Sequence, residues 1–167
     1  VVVVFKQNPT TAAAGADQPV TGVNATLAAN TPAIGTGAWS VISGSGGAVS
    51  TPSSPTSAFI GIAGNTYTLR WTISNPSCAA STDDVVITLT PSPTTANAGP
   101  DQTLCATSTT LAANTPTIGT GSWSVISGAG GTITTASSPT SAFSGVAGNT
   151  YTLRWTIANA PCTASTD

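Results

Sequence analysis

The clearest structural signal in the sequence is the segment YTLRWTI at positions 67–73. Apolar and polar residues alternate strictly along it, and the apolar ones are Tyr67, Leu69, Trp71 and Ile73. Because side chains on a β-strand point alternately to opposite faces, a period of two places these four residues on one face. The segment therefore predicts a half-buried strand whose apolar face belongs to a hydrophobic core.

The same segment returns unchanged at positions 151–157, 84 residues later. Two longer stretches recur with the same offset: TLAANTPAIGTGAWSVISGSGG at 26–47 returns at 110–131 as TLAANTPTIGTGSWSVISGAGG, and SSPTSAFIGIAGNTYTLRWTISN at 53–75 returns at 137–159 as SSPTSAFSGVAGNTYTLRWTIAN. A period of 84 residues is too long for a solenoid turn of about 20–50 residues and suits an independent sandwich domain. Two tandem repeats are therefore expected, and their similarity indicates recent duplication within a longer array.

Other apolar positions of each repeat also indicate strands. Trp39 and Val41 share one face of a segment, Leu27 lies between small residues, and Val85–Leu89 predicts the last strand of the first repeat. Turns are predicted at 36–37, 43–47 and 63–65, where Gly accompanies Thr, Ser or Asn. No stretch of about ten residues keeps an apolar stripe at helical spacing without Gly, Pro or a Thr cluster, so helices are not expected.

These patterns predict an all-β fold of two tandem antiparallel β-sandwiches. Repeat 1 spans residues 9–90, and repeat 2 spans residues 91–167 and opens with the stiff connector PSPT. The predicted core consists of the inward apolar residues of both repeats: Leu27, Trp39, Val41, Phe59, Tyr67, Leu69, Trp71, Ile73, Leu111, Trp123, Val125, Phe143, Tyr151, Leu153, Trp155 and Ile157. These aromatic residues are interpreted as core rather than as a platform for stacking sugars.

The composition excludes several classes of function. The chain has five acidic groups, all of them Asp, three basic groups and no His, so the usual general acids and bases are nearly absent and no enzyme is expected. Three cations are too few for the clustered phosphate contacts of a nucleic-acid-binding protein. The longest apolar run, Val1–Phe5, is far shorter than the roughly 20 residues of a membrane-spanning helix. The abundance of Thr and Ser instead suits an extracellular β-protein that is polar without being charged.

The two ends of the chain are complementary under the same offset. Val1–Lys6 aligns with Val85–Thr90, so residues 1–8 are predicted to be a strand equivalent to the last strand of a repeat, whereas repeat 2 stops before its own last strand. Either the chain is a window of a longer array, or Val1–Lys6 of one copy completes repeat 2 of another by donor-strand complementation. The unusually apolar Val1–Phe5 favours insertion. Such head-to-tail contacts do not close on themselves and generate a filament.

The order of features resembles an immunoglobulin-like sandwich. Trp39 matches the core tryptophan of the third strand, and the segment GNTY at 64–67 resembles the tyrosine corner before the penultimate strand. Leu27 and Leu69 stand where antibody domains carry their inter-sheet cysteines. The resemblance implies that hydrophobic packing replaces that disulfide.

The phrases NAGPDQ at 97–102, YTLRWTI at 151–157 and STDDVV at 81–86 resemble the tandem PKD/Ig-like repeats of large secreted surface proteins of Bacteroidota, including gliding-motility adhesins. The resemblance covers both repeats and implies a secreted, cell-surface, array-forming module without a catalytic role. It also implies a disulfide between Cys105 and Cys162, which leaves Cys78 as a free thiol. Two alternatives stay open: a Cys78–Cys105 bridge across the domain junction, and three buried thiols.

The few charged side chains can be interpreted in two ways, as ion pairs or as metal ligands. Arg70 and Arg154 lie on the outward face of their strands, where a cross-strand pair with the acids that follow is expected. No cofactor or metal is expected, although calcium at the domain ends is an alternative, with weak candidate ligands Asp17, Asp83, Asp84 and Asp101.

Two classes of function remain. The first is a structural unit of an extracellular filament or cell-surface stalk, whose partners are copies of itself or neighbouring repeats. The second is an adhesion module that binds a glycan or another surface through loops such as 43–47 and 51–56.

Overall fold

Every regular element of the computed structural model, which describes all 167 residues, is a β-strand. The chain forms two units, Val1–Pro91 and Ser92–Asp167, so the boundary lies one residue from the predicted one. No helix is long and apolar enough to cross a membrane. The fold is all-β, as the sequence predicts.

The first unit has seven strands in two sheets. The strands are β1 (Gln18–Thr21), β2 (Asn24–Thr26), β3 (Thr36–Ser43), β4 (Ala48–Val49), β5 (Ala58–Ile60), β6 (Thr66–Ser74) and β7 (Ser81–Thr90). One sheet has the order β2-β5-β4 and the other β1-β7-β6-β3. All pairs are antiparallel except β1–β7, which is parallel because β1 enters the sheet beside a strand far away in sequence rather than through a hairpin.

The core of the first unit lies between these two sheets. From the alternating segment, Tyr67, Leu69, Trp71 and Ile73 are all fully buried. They share the core with Phe59 of the other sheet and with Leu27, which directly follows β2. Phe59 and Tyr67 pack edge to face with ring centroids 4.9 Å apart. The predicted core positions of repeat 1 are thus inward-facing, and of these Val41 is only half-buried.

The tyrosine corner is present in the first unit. The hydroxyl of Tyr67 accepts a hydrogen bond from the Ile62 backbone N–H at 2.8 Å and donates one to the Ser45 carbonyl at 3.1 Å. These bonds join the turn before β6 to the turn between β3 and β4. They hold a buried phenol that would otherwise lose its hydrogen bonds to water.

The predicted turn at 36–37 is wrong. Thr36 and Gly37 begin β3, and the chain bends earlier, where Gly35 has φ of +95°. Gly37 is required for a different reason, since a methyl group placed on it would overlap the indole ring of Trp71 on β6. A glycine that permits close packing resembles a turn glycine in sequence.

Replacing Gly37 with alanine is expected to destabilise the first unit by about 1–3 kcal/mol, because the added methyl forces the Trp71 ring to move within a packed core. Equilibrium unfolding in urea measures this loss. Ser40→Ala on the same strand is the control, and at its exposed position a change within about 0.5 kcal/mol is expected. Equal effects of the two substitutions would contradict the packing role of Gly37.

The second unit repeats this design with fewer strands. They are β8 (Ser108–Thr110), β9 (Thr120–Ser127), β10 (Thr132–Ile133), β11 (Ala142–Ser144), β12 (Thr152–Ala158) and β13 (Ser165–Thr166), in two sheets ordered β10-β11-β8 and β13-β12-β9. Its core holds Leu111, Trp123, Phe143, Trp155 and Ile157. Of the other residues predicted to be core, Tyr151 and Leu153 are half-buried. The prediction that Val125 belongs to the core is wrong, because this residue is 36% exposed.

Candidate assembly groove of the second unit

The second unit has no counterpart of most of β7. In the first unit β7 lies between β1 and β6 and buries Val85, Ile87 and Leu89 completely. The 84-residue offset maps its ten residues onto positions that begin at Ser165, and residues 92–167 contain only the first three of them, Ser165, Thr166 and Asp167, of which the first two form β13. The second unit therefore contains the sandwich without the strand that closes one sheet.

A groove lies where that strand would run. It forms a cavity of about 760 Å³ whose lining includes Gln102, Leu104, Tyr151 and Leu153. The side chains beside it are more exposed to solvent than their counterparts in the first unit. Tyr67 and Leu69 are fully buried, whereas the equivalent Tyr151 and Leu153 are half-buried. Leu104 is 50% exposed. Val125 neighbours Leu153 across the β9–β12 pair, and its counterpart Val41 in the first unit is also only half-buried.

The backbone on both sides of the groove is also open. β12 begins at Thr152, two residues later than the equivalent β6, and it pairs with β13 only at Thr156 and Ile157. On the other side, residues 102–105 form no strand, although their counterparts Gln18–Thr21 are β1. An extended segment placed between these edges would satisfy peptide groups on both.

The N-terminal segment carries apolar residues at the positions that the missing strand would bury. Val1–Phe5 are each at least 68% exposed, which leaves five consecutive apolar side chains in water. The offset aligns Val1, Val3 and Phe5 with the three fully buried residues of β7 and places the residues between them at its less buried positions. The strand predicted at residues 1–8 does not form in a single copy, because a strand needs a neighbour to bond with.

The predicted disulfide between Cys105 and Cys162 is wrong, and no disulfide occurs in the structure. Cys105 is equivalent to Thr21, which pairs with Thr90 at the far end of β7, whereas Cys162 is equivalent to Cys78, which precedes β7. The ten residues of β7 separate these positions by about 30 Å at 3.3 Å per residue. A disulfide requires Cα atoms within about 7 Å. The third alternative, three buried thiols, also fails because Cys105 is exposed.

The candidate calcium ligands are engaged in other ways. The Asp17 carboxylate accepts a hydrogen bond from the Val86 N–H at 2.9 Å, and Asp83 accepts one from the Ala14 N–H at 2.7 Å. Asp101 lines the groove. No group of three or more Asp or Cys side chains stands together in a way that could hold a metal ion. The carboxylates serve instead to fix the N-terminal part of each unit against its last strand.

Asp84 forms the expected cross-strand pair with Arg70. The guanidinium donates two hydrogen bonds to the carboxylate, at 2.7 and 2.8 Å, and these bonds lower the pKa of Asp84 and raise the pKa of Arg70. Both side chains are well exposed, so solvent screens the pair and it adds little to stability. In the second unit the acid that follows the strand, Asp167, accepts a hydrogen bond from the Ala98 N–H instead.

The walls of the groove carry mainly apolar, amide and hydroxyl side chains, together with the Asp101 carboxylate and the Cys105 thiol. The sequence identified Tyr151 and Leu153 only as core and did not identify Gln102 and Leu104. The signal that could have found these two is their alignment with Gln18 and Val20, which pair with Ile87 and Leu89.

No protein-family model and no curated protein matches the chain. Among solved structures, the chain is similar to the insect immune protein hemolin at 11% identity and a TM-score of 0.55, over 97% of this chain and 46% of that chain. It is also similar to the titin domains Z1Z2 in complex with telethonin (14%, TM-score 0.41, 98% and 95%) and to protocadherin gamma B2 extracellular cadherin domains 3–6 (9%, TM-score 0.39, 98% and 45%). The likeness to hemolin concerns the fold alone, and the fold is that of immunoglobulin-like β-sandwiches.

Proposed function

We propose that this chain is a structural repeat unit of an extracellular, cell-surface filament, in which Val1–Lys6 of one copy fills the groove of the second unit of the next copy. The observation that carries the proposal is the match between an exposed apolar segment and an empty strand position within the same chain. The resemblance to secreted bacterial surface repeats supports the extracellular setting.

The first unit supplies the register of the proposed strand. β7 pairs with β6 at Ile87–Tyr67 and with β1 at Leu89–Val20. Transferred by 84 residues, the donor would place Val3 beside Tyr151 and Phe5 beside Leu104. Val1 would lie beside Leu153 in the same way. All three neighbours are the groove residues that are half-buried or exposed in a single copy.

Burial of the donor side chains supplies the driving force. Covering Val1, Val3 and Phe5 contributes about 1.5–3 kcal/mol for each fully buried side chain, before the cost of association. Main-chain hydrogen bonds to β12 on one side and to residues 102–105 on the other would fix the register of the donor strand. A shift by one residue would turn Val2 and Val4 inward and Phe5 outward. The contact joins different surfaces of the two copies, so it repeats without closing.

Covalent continuation is the alternative source of the missing strand. A chain that continued beyond Asp167 with a β7-like segment would fill the groove in cis, and the same repeats would then form part of a longer stalk. In such a chain Val1–Lys6 would in turn be the last strand of a preceding repeat, so the exposure of Val1–Phe5 in a single copy fits both sources, and the assembly experiment below distinguishes them.

Adhesion through loops is less well supported. The loops at 43–47 and 51–56 have the sequences SGSGG and TPSSPT, which carry neither an aromatic nor a charged side chain. The tryptophans and phenylalanines of the two domains are used in their cores. A glycan site usually requires exposed aromatic rings with polar groups around them.

Electron microscopy of the purified chain tests the proposal. Thin fibres are expected from the intact chain, and monomers are expected after deletion of residues 1–5, with the first unit still folded by circular dichroism. Fibres that persist after the deletion would contradict strand donation. Monomers of the intact chain with a protected groove would indicate that the strand comes from the same chain.

A further inference from the structure

We infer that Asp101 positions the donor strand in the groove, because its carboxylate accepts a hydrogen bond from the main-chain N–H of Val2 of the donating copy. The inference rests on the proposed strand donation. It gives a partner to an exposed carboxylate that lines the groove and has no hydrogen bond or ion pair within a single copy.

The first unit contains the same bond within one chain. Asp17 is equivalent to Asp101, and its Oδ1 accepts a hydrogen bond from the Val86 N–H of β7 at 2.9 Å. The offset of 84 maps Val86 onto Val2. Asp17 lies one residue before β1, whose pairing with β7 starts at the next residue. The carboxylate therefore adds one hydrogen bond beyond the end of the main-chain pairing.

The orientation of the Val86 N–H follows from its position in β7. Main-chain groups of successive residues in a strand point alternately to the two neighbouring strands. The Thr90 carbonyl points to the β1 side, where it accepts a hydrogen bond from the Gly22 N–H at 2.8 Å, and Val86 is an even number of residues away. In the donor strand, Val2 and Val4 have this same orientation and turn their N–H groups to the edge that begins at Asp101.

Asp101 is held in place before any strand arrives. On one side of it the Ala98 N–H donates a hydrogen bond to the Asp167 carboxylate at 2.8 Å. On the other side the Gln102 side-chain amide donates one to the Thr110 carbonyl at 3.2 Å. The equivalent bonds of the first unit are 2.7 and 3.1 Å long. Because both anchors are present without the strand, a single copy already presents the acceptor to the groove.

The bond fixes the beginning of the donor strand. The register of β1 and β7 transfers to main-chain pairing that starts at Val3 on this side of the groove, so without Asp101 the N–H of Val2 would lie beyond the last pair. A hydrogen bond to a charged acceptor is stronger than one between neutral groups. Its loss is expected to weaken binding about tenfold. Because the carboxylate contacts the main chain, this gain is independent of the side chain at position 2.

Substitution in the intact chain is the first test. Asp101→Ala is expected to raise the concentration needed for fibre formation about tenfold. Asp17→Ala is the matched control, because it makes the same change in the equivalent turn of the other unit, and it is expected to leave that concentration unchanged. Sedimentation at several concentrations measures both.

An amide-to-ester exchange in a peptide is the second test, and it reads the bond itself. The chain without residues 1–5 is titrated with the peptide VVVVFKQ, acetylated so that no terminal ammonium competes for the carboxylate. An ester oxygen in place of the Val2 N–H is expected to weaken binding about tenfold to the unsubstituted groove and hardly at all to the Asp101→Ala groove, because both changes remove one bond. An ester at Val4 is the control and is expected to weaken binding to both grooves alike.

The outcomes separate this inference from strand donation. Equal effects of Asp101→Ala and Asp17→Ala on assembly would overturn the role of Asp101, and so would additive losses from Asp101→Ala and the Val2 ester. In either case assembly and peptide binding by the unsubstituted chain leave the proposed function standing. Absence of fibres from the intact chain, together with absence of binding of the unmodified peptide, would overturn both.

Discussion

Val3→Asp is expected to abolish fibre formation, whereas Val4→Asp is expected to leave it largely intact. Val3 aligns with Ile87, which is fully buried between the sheets, while Val4 aligns with the exposed Thr88. The first substitution removes a buried apolar side chain and carries a carboxylate into an apolar groove. A loss of about 3 kcal/mol per junction weakens association more than a hundredfold.

Sedimentation velocity at several concentrations measures this difference. The two substitutions add the same charge to the same exposed segment, so solubility and net charge are matched, and only the direction of the side chain differs. Loss of assembly in both variants would point to a general charge effect. Loss only in Val4→Asp would contradict the register and place the other face of the segment in the groove.

Trp71→Ala is expected to destabilise the first unit by about 3–5 kcal/mol and to leave the second unit unchanged. Trp71 is fully buried, packs against Trp39 with ring centroids 5.1 Å apart and covers Gly37. Its loss leaves a cavity the size of an indole in the middle of the core. Hydrogen exchange followed by mass spectrometry reads the two units separately, through peptides from each.

Phenylalanine substitutions refine this prediction. The Trp71 indole N–H is buried without a hydrogen-bond partner, whereas that of Trp39 donates to the Pro55 carbonyl at 3.3 Å. Trp71→Phe removes an unsatisfied donor and is expected to cost less than Trp39→Phe, which gives up a hydrogen bond of about 0.5–1.5 kcal/mol. The reverse order would show that ring volume rather than hydrogen bonding controls both positions.

Local pattern was sufficient for the architecture. The alternation around Leu69 predicts β6 and its buried face correctly, because a strand that covers a core shows its environment in its own sequence. The pattern was not sufficient where a contact is distant in sequence. Gly37 was assigned to a turn because the sequence does not show that the Trp71 ring lies over it.

The candidate site was predicted in part. The offset of 84 identifies Val1–Lys6 and a missing strand, and so predicts which segment and which unit are involved. The parallel β1–β7 pair joins residues about 70 positions apart and has no hairpin signal. For this reason Gln102 and Leu104 were not predicted to line the groove. The Cys105–Cys162 bridge, which the family resemblance implied, failed because the two residues lie at opposite ends of β7 and of the position equivalent to it.

Complementation by a peptide tests strand donation most directly. A chain without residues 1–8 is mixed with the free peptide VVVVFKQ, residues 1–7, and hydrogen exchange is followed across both units. Slower exchange is expected at Tyr151–Leu153 and at residues 102–105, with no change in the first unit. At a free peptide concentration a hundred times the dissociation constant, binding is expected to stabilise the second unit by about 2.7 kcal/mol. Unchanged exchange at these two edges, at peptide concentrations that saturate any binding, would contradict the proposed assembly.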